Sequence, residues 1–324
     1  MLHKEIEAVG DGIYRVPIPV PFPMKYVYCY VCQETDGWSL VDVGFRCPEA
    51  MHAWEAAFRQ LGIKPRHVRA IYITHFHPDH FGLAGWMQQQ TEAPIWISEA
   101  DHAMAERVWG EESIQASEVA SLFRRHGVPE ELASEIEENM WKLSLRVSPF
   151  PVLTVLDRHE VVLGQRRWIV IPVPGHSDGL ISFYQPESRQ LLVSDHVLDR
   201  ITPNISVWPG AYPNPLEQYF ASLRKVEELD VDVALPAHGA VIHQFRERID
   251  DIFRHHEQRL QKMKALTEKG RTAYEVARLV FGHKPLTAHQ WRFAVAETLA
   301  HLEYLRSIGQ AQTEEHDNTI VYVS

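Results

Sequence analysis

His75, His77, Asp79 and His80 stand together in the segment Thr74-His75-Phe76-His77-Pro78-Asp79-His80, directly after a strand-like run that ends at Ile73. Imidazole nitrogens and a carboxylate at this density suit a borderline divalent ion such as zinc. Side chains two apart on extended chain share a side, so His75 and His77 can reach one ion. Asp79 and His80 lie further round the turn, where they can reach a second. Three distant residues occupy the same kind of place: His176 in Pro174-Gly175-His176, Asp195 in Ser194-Asp195-His196, and His238 in Pro236-Ala237-His238-Gly239. Each follows a predicted strand, where loops gather at one edge of a sheet. Independent surface histidines have no reason to share that placement, and the pattern reads as a metal site.

Such loops need a sheet to hold them, and the chain supplies strand-like runs at 26–32, 39–44, 70–73, 94–97, 168–171, 190–193 and 231–235. Helical spacing separates them at 50–61 and 82–90, and Pro215 opens a further helix with Leu216, Tyr219, Leu223 and Val226 on one face. This alternation predicts an α/β domain over residues 1–245. Within it, residues 99–147 are polar and helix-favouring, a helical insertion that could act as a lid. From residue 246 the chain turns mainly helical and closes on a strand at 319–323.

The chain has 324 residues, 45% hydrophobic and 23% charged, the composition of a soluble globular protein. No apolar run approaches the roughly 20 residues of a membrane-spanning helix, and the N-terminus lacks the apolar stretch of a signal peptide. Three cysteines cannot all pair, which points to a reducing, cytoplasmic setting. The net charge is −11; residues 246–324 hold 12 basic and 11 acidic side chains, so the acidity belongs to the first 245 residues and argues against a non-specific nucleic-acid coat. Cys29 and Cys32 fall on opposite faces of a strand and read as core rather than as a redox pair. His243, His255 and His256 read as surface residues, support of the site by His196 is the lesser of its two readings, and Trp208 and Tyr212 read as either pocket wall or loop anchor.

The order His-x-His-x-Asp-His, Gly-His, Asp, His-Gly resembles the metallo-β-lactamase superfamily over residues 10–245, and Leu40-Val41-Asp42-Val43-Gly44 resembles that family's early strand-turn signature. The resemblance implies an αββα sandwich of two mixed sheets flanked by helices. It implies His75, His77 and His176 on one metal, Asp79, His80 and His238 on the second, Asp195 bridging both, and Asp42 supporting the ligand loop. Two divalent ions so placed can share a water and bring its pKa towards about 7, giving a bridging hydroxide for hydrolysis, with Asp79 orienting or relaying its proton. Zinc, iron and manganese all fit the ligand set.

Departures from the family's branches narrow the substrate. The common zinc β-lactamases place Cys where Asp195 stands, and acyl-homoserine lactonases place Tyr where Leu198 stands. Asp195 instead resembles glyoxalase-II-like thioesterases, lactonases and RNA-processing nucleases. Residues 272–277 and 296–305 resemble the C-terminal winged-helix-like module of β-lactamase-like protein 2 relatives, some of which cut RNA. The would-be recognition helix offers only Arg292 and Arg306 against Glu297 and Glu303, so packing or homodimerisation is the expected role. The expected activity is therefore hydrolysis of a small ester, thioester or lactone, the alternative phosphodiester cleavage of RNA; no membrane is involved. An apolar tunnel between insertion and metals favours the first, an open basic groove the second.

Overall fold

A computed structural model describes residues 4–10 and 12–324, so the expected 1–245 segment begins outside the described residues. Strands β1 (Glu7–Gly10), β2 (Ile13–Pro19), β3 (Tyr26–Glu34) and β4 (Gly37–Val41) form an antiparallel meander. Helix α1 (Pro48–Leu61) leads to β5 (Val68–Tyr72), which lies parallel to β4. A single turn, α2 (Pro78–Phe81), and α3 (Ala84–Thr91) follow, then β6 (Ile95–Ile97). Helices α4 (Glu99–Trp109), α5 (Gln115–Arg125) and α6 (Glu130–Ser144) come before β7 (Leu153–Val155), which completes a seven-stranded sheet in the order β1 to β7.

The second sheet contains β8 (Glu160–Leu163), β9 (Arg166–Pro172), β10 (Ile181–Gln185) and β11 (Gln190–Ser194). Helix α7 (Pro215–Glu227) crosses to β12 (Val233–Pro236), giving the order β12-β11-β10-β9-β8. Three helices, α8 (Phe245–Thr267), α9 (Ala273–Phe281) and α10 (Ala288–Ser307), and a hairpin of β13 (Gln312–His316) and β14 (Thr319–Val323) end the chain. No helix among the described residues is long and apolar enough to cross a membrane.

The layers follow from which residues share a core. Ile13, Cys32, Val41 and Tyr72 of the first sheet meet Leu163, Trp168, Phe183 and Leu192 of the second in one buried cluster, so the sheets pack face to face. The first sheet's other face carries Cys29, Leu40 and Ile71 against Trp54 and Phe58 of α1 and Met87 of α3. The second sheet's outer face packs Leu191 and Ala234 against Leu223 of α7 and Ile249 of α8. This is the αββα sandwich, and Cys29 and Cys32 are buried in its two different cores. A further cluster joins Val119, Phe123 and Ile136 of α5 and α6 to Val276, Val295 and Leu299 of α9 and α10. Helices α5 and α6 thus share their apolar faces with the C-terminal helices, while Met104, Ala105 and Val108 of α4 join the core of the first sheet.

Local chemistry sets the element ends. Pro48 opens α1 and Gly62 closes it with φ 67°, the left-handed turn that glycine adopts without steric cost. Asn214 caps α7 ahead of Pro215, and capping boxes Thr272/Glu275 and Thr287/Gln290 start α9 and α10. The runs read from the sequence leave out β1, β2, β7, β8, β10 and β13, and two of these show why. Pro17 and Pro19 speak against a strand at β2, yet β1 pairs only as far as Arg15, so both prolines face an unpaired edge. β10 is buried along its whole length, and Ser182 and Gln185 break any apolar run there.

Candidate metal centre

Strand direction brings the ligand loops to one place. β9 and β11 both run antiparallel to β10, and β12 runs parallel to β11, so the three loops that follow them leave one edge. The first sheet is tied to that edge where Ile181 N donates to Thr74 O at 3.1 Å. The loop after β5 begins at Thr74 and is anchored by Asp42, a buried non-glycine residue at φ 61°. Such a conformation persists where surrounding bonds determine it. Here the Asp42 carboxylate accepts from Thr74 N, from Thr74 Oγ1 and from His80 Nδ1, each at 2.8 Å.

Every candidate ligand imidazole but one has its outer nitrogen engaged. His80 Nδ1 meets Asp42, His176 Nδ1 lies 2.8 Å from Asn204 O, and His238 Nδ1 lies 2.9 Å from Tyr26 O. His75 Nδ1 sits 3.0 Å from Thr74 Oγ1, whose own proton goes to Asp42, so the imidazole donates. These bonds place the proton on Nδ1 and leave Nε2 facing inward as a lone pair, the second-sphere arrangement of metal-binding histidines. His77 is the exception: its Nδ1 faces inward, 2.9 Å from His176 Nε2.

The inward atoms form two groups, His75, His77 and His176 in one and Asp79, His80, Asp195 and His238 in the other, with donor atoms within 4.8 Å of one another in each. Asp195 Oδ2 lies 3.6 Å from His176 Nε2 in the first group and 3.5 and 3.6 Å from His80 and His238 Nε2 in the second. All seven residues singled out in the sequence therefore converge. His75 Nε2, His80 Nε2, His238 Nε2 and Asp195 Oδ1 are buried with no hydrogen-bond partner among the described residues. Orphaned buried lone pairs are costly, and a divalent ion satisfies them; the donor set fits such ions.

Burial, with the neighbouring imidazoles, holds His75 and His77 well below the usual imidazole range and so in the neutral form a metal requires. Burial also opposes charge on Asp79 and Asp195, but the surrounding imidazoles outweigh it: Asp79 is held at about 2 and Asp195 lower still. Burial likewise pulls on His80, yet Asp42, Asp195 and Asp79 together push it above the ordinary value.

The sequence reading missed Asp101, fully buried at the start of α4. Its Oδ2 accepts from Phe76 N at 3.0 Å and Ser177 Oγ at 2.8 Å, and its Oδ1 accepts from Gly179 N at 2.7 Å. One carboxyl thus clamps the loop of His75 and His77 to the loop of His176. Burial outweighs these bonds and lifts its pKa to about 7. Ser98 caps the same helix, so Ser98-Glu99-Ala100-Asp101 reads locally as an ordinary helix start. His256 corrects another expectation: it is buried, and its Nδ1 lies 3.0 Å from Nε2 of buried His301. His196 is buried too, with Nε2 2.8 Å from Ser222 Oγ behind the site.

The cluster opens into a cleft of about 590 Å³, a volume typical of small-molecule sites. His77, Asp79, His176 and Asp195 lie in its wall, and most of the rest is apolar. Met104, Val108 and Trp109 come from α4, and Met140, Trp141 and Leu143 from α6. Leu198 and Trp208 come from the loop after Asp195, and Phe281, Leu286 and Phe293 from the C-terminal segment. Trp208 is thus pocket wall. Tyr212 is not in the lining; its N–H is anchored on Asp178 at 2.8 Å.

Residues 23–238 match the family model described as "Metallo-beta-lactamase superfamily", and residues 260–324 match "Metallo-beta-lactamase-like, C-terminal domain". A metallo-beta-lactamase family protein of Thermus thermophilus, TTHA1429, has a crystal structure similar to this one with TM-score 0.87 and 33% identity, covering 98% of this chain and 99% of that one. "Probable metallo-hydrolase YqjP" of Bacillus subtilis is 25% identical, covering 96% of this chain and 98% of its own. "Beta-lactamase-like protein 2 homolog" of Caenorhabditis elegans is 23% identical over 88% of this chain and 82% of its own.

Proposed function

This chain belongs to the metallo-beta-lactamase superfamily, and we propose that it is a binuclear metal-dependent hydrolase of small apolar esters, thioesters or lactones. His75, His77 and His176 would hold one divalent ion and Asp79, His80 and His238 the other, with Asp195 common to both; zinc, iron and manganese all suit this set. Bound ions would supply an acidified water and a Lewis acid for the scissile carbonyl. The chain's own part is positioning. Asp42 and Asp101 fix the ligand loops, and Asn204 and Tyr26 carbonyls set the histidine tautomers. Asp79, in the cleft wall with Oδ2 3.2 Å from His238 Nε2, would accept the attacking water's proton and return it to the leaving group.

The observation that carries this reading is the apolar lining of the cleft at the cluster, which suits an acyl chain. Phosphodiester cleavage would call for a groove of exposed cations, and the lining offers Lys284 at its exposed rim and buried Arg292. We read α8–α10 and the final hairpin as a winged-helix-like module that serves to wall the cleft. The test is turnover of p-nitrophenyl acyl esters and acyl thioesters by the metal-loaded protein. Activity abolished by Asp79→Ala and His176→Ala supports the reading. Cleavage of bis(p-nitrophenyl) phosphate or RNA without ester turnover overturns it.

A further inference from the structure

Arg292 has a place in the cleft that the reaction does not use. It sits on α10 with 7% of its surface exposed and lines the same cavity as Asp79 and Asp195. Its Nε has no hydrogen-bond partner, and no carboxylate or carbonyl accepts from the guanidinium among the described residues. The neighbouring acid, Glu297, is already held by Arg259 Nη1 and Asn204 Nδ2, both at 2.9 Å. What surrounds Arg292 is aromatic: the guanidinium carbon lies 4.5 Å from the Phe293 ring and 5.9 Å from that of Trp208. Those faces orient the cation but do not neutralise it. Burial alone pulls its pKa down to about 10, as for a cation with no counter-ion.

The guanidinium shares the cleft with the His/Asp cluster. His289, one turn earlier on α10, feels the charges of both Arg292 and Asp79. The cleft therefore holds both the His/Asp cluster and a buried cation whose Nε has no hydrogen-bond partner. A planar fork of donors held on aromatic faces is suited to an oxyanion.

We propose that Arg292 is the anion-binding residue of the cleft, so that the substrate is an amphiphile whose apolar chain carries an oxyanion besides the bond that is cut. The proposal rests on reading the cleft as the acyl site, and it names what that acyl group bears. An exposed lysine at the rim would bind anions of any shape. A buried, desolvated arginine selects one that brings apolar surface with it.

Calorimetric titration of the full chain, metal-loaded and chelator-treated, tests this with octan-1-ol, octanoate, octyl sulfate and octyl phosphate. The wild type should bind at least one of the anions about ten-fold or more tightly than octanol, and the best of the three identifies the oxyanion. Arg292→Met should bring that preference to within about two-fold while octanol still binds. Arg292→Lys should keep part of it, and Arg292→Gln, a polar replacement, serves if the Met variant fails to fold. An anion preference that survives in Arg292→Met, or octanol bound as tightly as every anion by the wild type, overturns the role of Arg292 and leaves the acyl cleft standing. Failure of all four amphiphiles to bind overturns both. A second readout is the KM of a p-nitrophenyl ester with a terminal carboxylate. It should rise about ten-fold in Arg292→Met, against little change for the uncharged octanoyl ester.

Discussion

Replacing Asp101 by alanine removes the single acceptor shared by Phe76 N–H, Gly179 N–H and Ser177 O–H. The serine hydroxyl can rotate to another partner, but the two backbone groups cannot move without their loops. Each buried donor left unmade costs about 1–3 kcal/mol, so Asp101→Ala should lose roughly 4 kcal/mol, or about 5–12 °C in Tm for a chain of this size. Because burial lifts Asp101 to about 7, the folded state binds its proton more readily than the unfolded state. Stability from this group therefore rises as pH falls from about 7 towards 4, and the wild type's advantage should be larger at pH 6 than at pH 8. The clamped loops carry His75, His77 and His176, so metal affinity should fall about 10–100-fold, the usual cost of losing an outer-sphere support. Thermal denaturation of the metal-free proteins at both pH values, with zinc titrations against a competing chelator, reads both effects. An Asp101→Ala protein that melts within about 2 °C of the wild type and binds zinc within three-fold refutes the clamp. Asp101→Asn, which keeps the volume but turns one acceptor into a donor, should fall between.

A Cβ at Gly179 would stand 2.2 Å from Ser98 Oγ and 2.6 Å from Asp101 N, so Gly179→Ala should cost about 1–3 kcal/mol in a urea melt; an unchanged midpoint means that α4 can retreat freely. Chelation should lower Tm, and zinc restored to about 100 times its Kd should return about 2.7 kcal/mol; a Tm indifferent to metal argues against the His/Asp cluster as its site. Trp141 lines the cleft while 59% exposed, so Trp141→Ala should raise KM for an octanoyl ester about five-fold, near 1 kcal/mol, and leave an acetyl ester unchanged; equal effects on both esters disprove a chain-binding role. His126, stacked on Tyr322 and buried, is held at about 4, where burial outweighs Glu303 and Arg125 adds to it. Its folded pKa is depressed, so its contribution is complete above about 6.5 and lost as pH falls towards 4, by at most about 3 kcal/mol; His126→Phe should flatten that limb of a stability–pH curve.

The candidate ligands were legible from their sequence neighbours: histidines and aspartates just past β-rich runs, with glycine or proline beside His77, Asp79, His176 and His238. Asp42 was legible for the same reason, through Leu40-Val41-Asp42-Val43-Gly44. Asp101 was not, since its partners Phe76, Ser177 and Gly179 are as many as 78 residues away and nothing near it hints at them. The pairing of His256 with His301 was hidden likewise, across 45 residues, by a helix whose periodicity places His256 only as one polar residue among several. β10 escaped because strands buried on both sides lose the alternation that marks half-buried ones. The pocket wall was the least visible part. It is assembled from helices α4 and α6, the loop after Asp195 and α10, and no local window spans those contributions.

α10 is where these long-range relations meet, and its burial bears on what the C-terminal segment does. Its sequence carries little amphipathic pattern, and Ala294, Val295, Ala296, Thr298, Leu299, Ala300, His301 and Leu302 are all buried, on every side of the helix. A helix that reads nucleic acid must keep one face free for a groove, whereas one enclosed all round is a core element. Each side of α10 has its own partner. Val295, Ala296 and Leu299 pack on α5 and α6, Ala300 joins the core beneath the second sheet, and Ala296 O accepts from Val207 N at 3.2 Å. Its first turns present His289, Arg292 and Phe293 to the cleft. The C-terminal segment thus contributes wall to the cleft, and of the two cations it places there Lys284 is exposed and Arg292 buried.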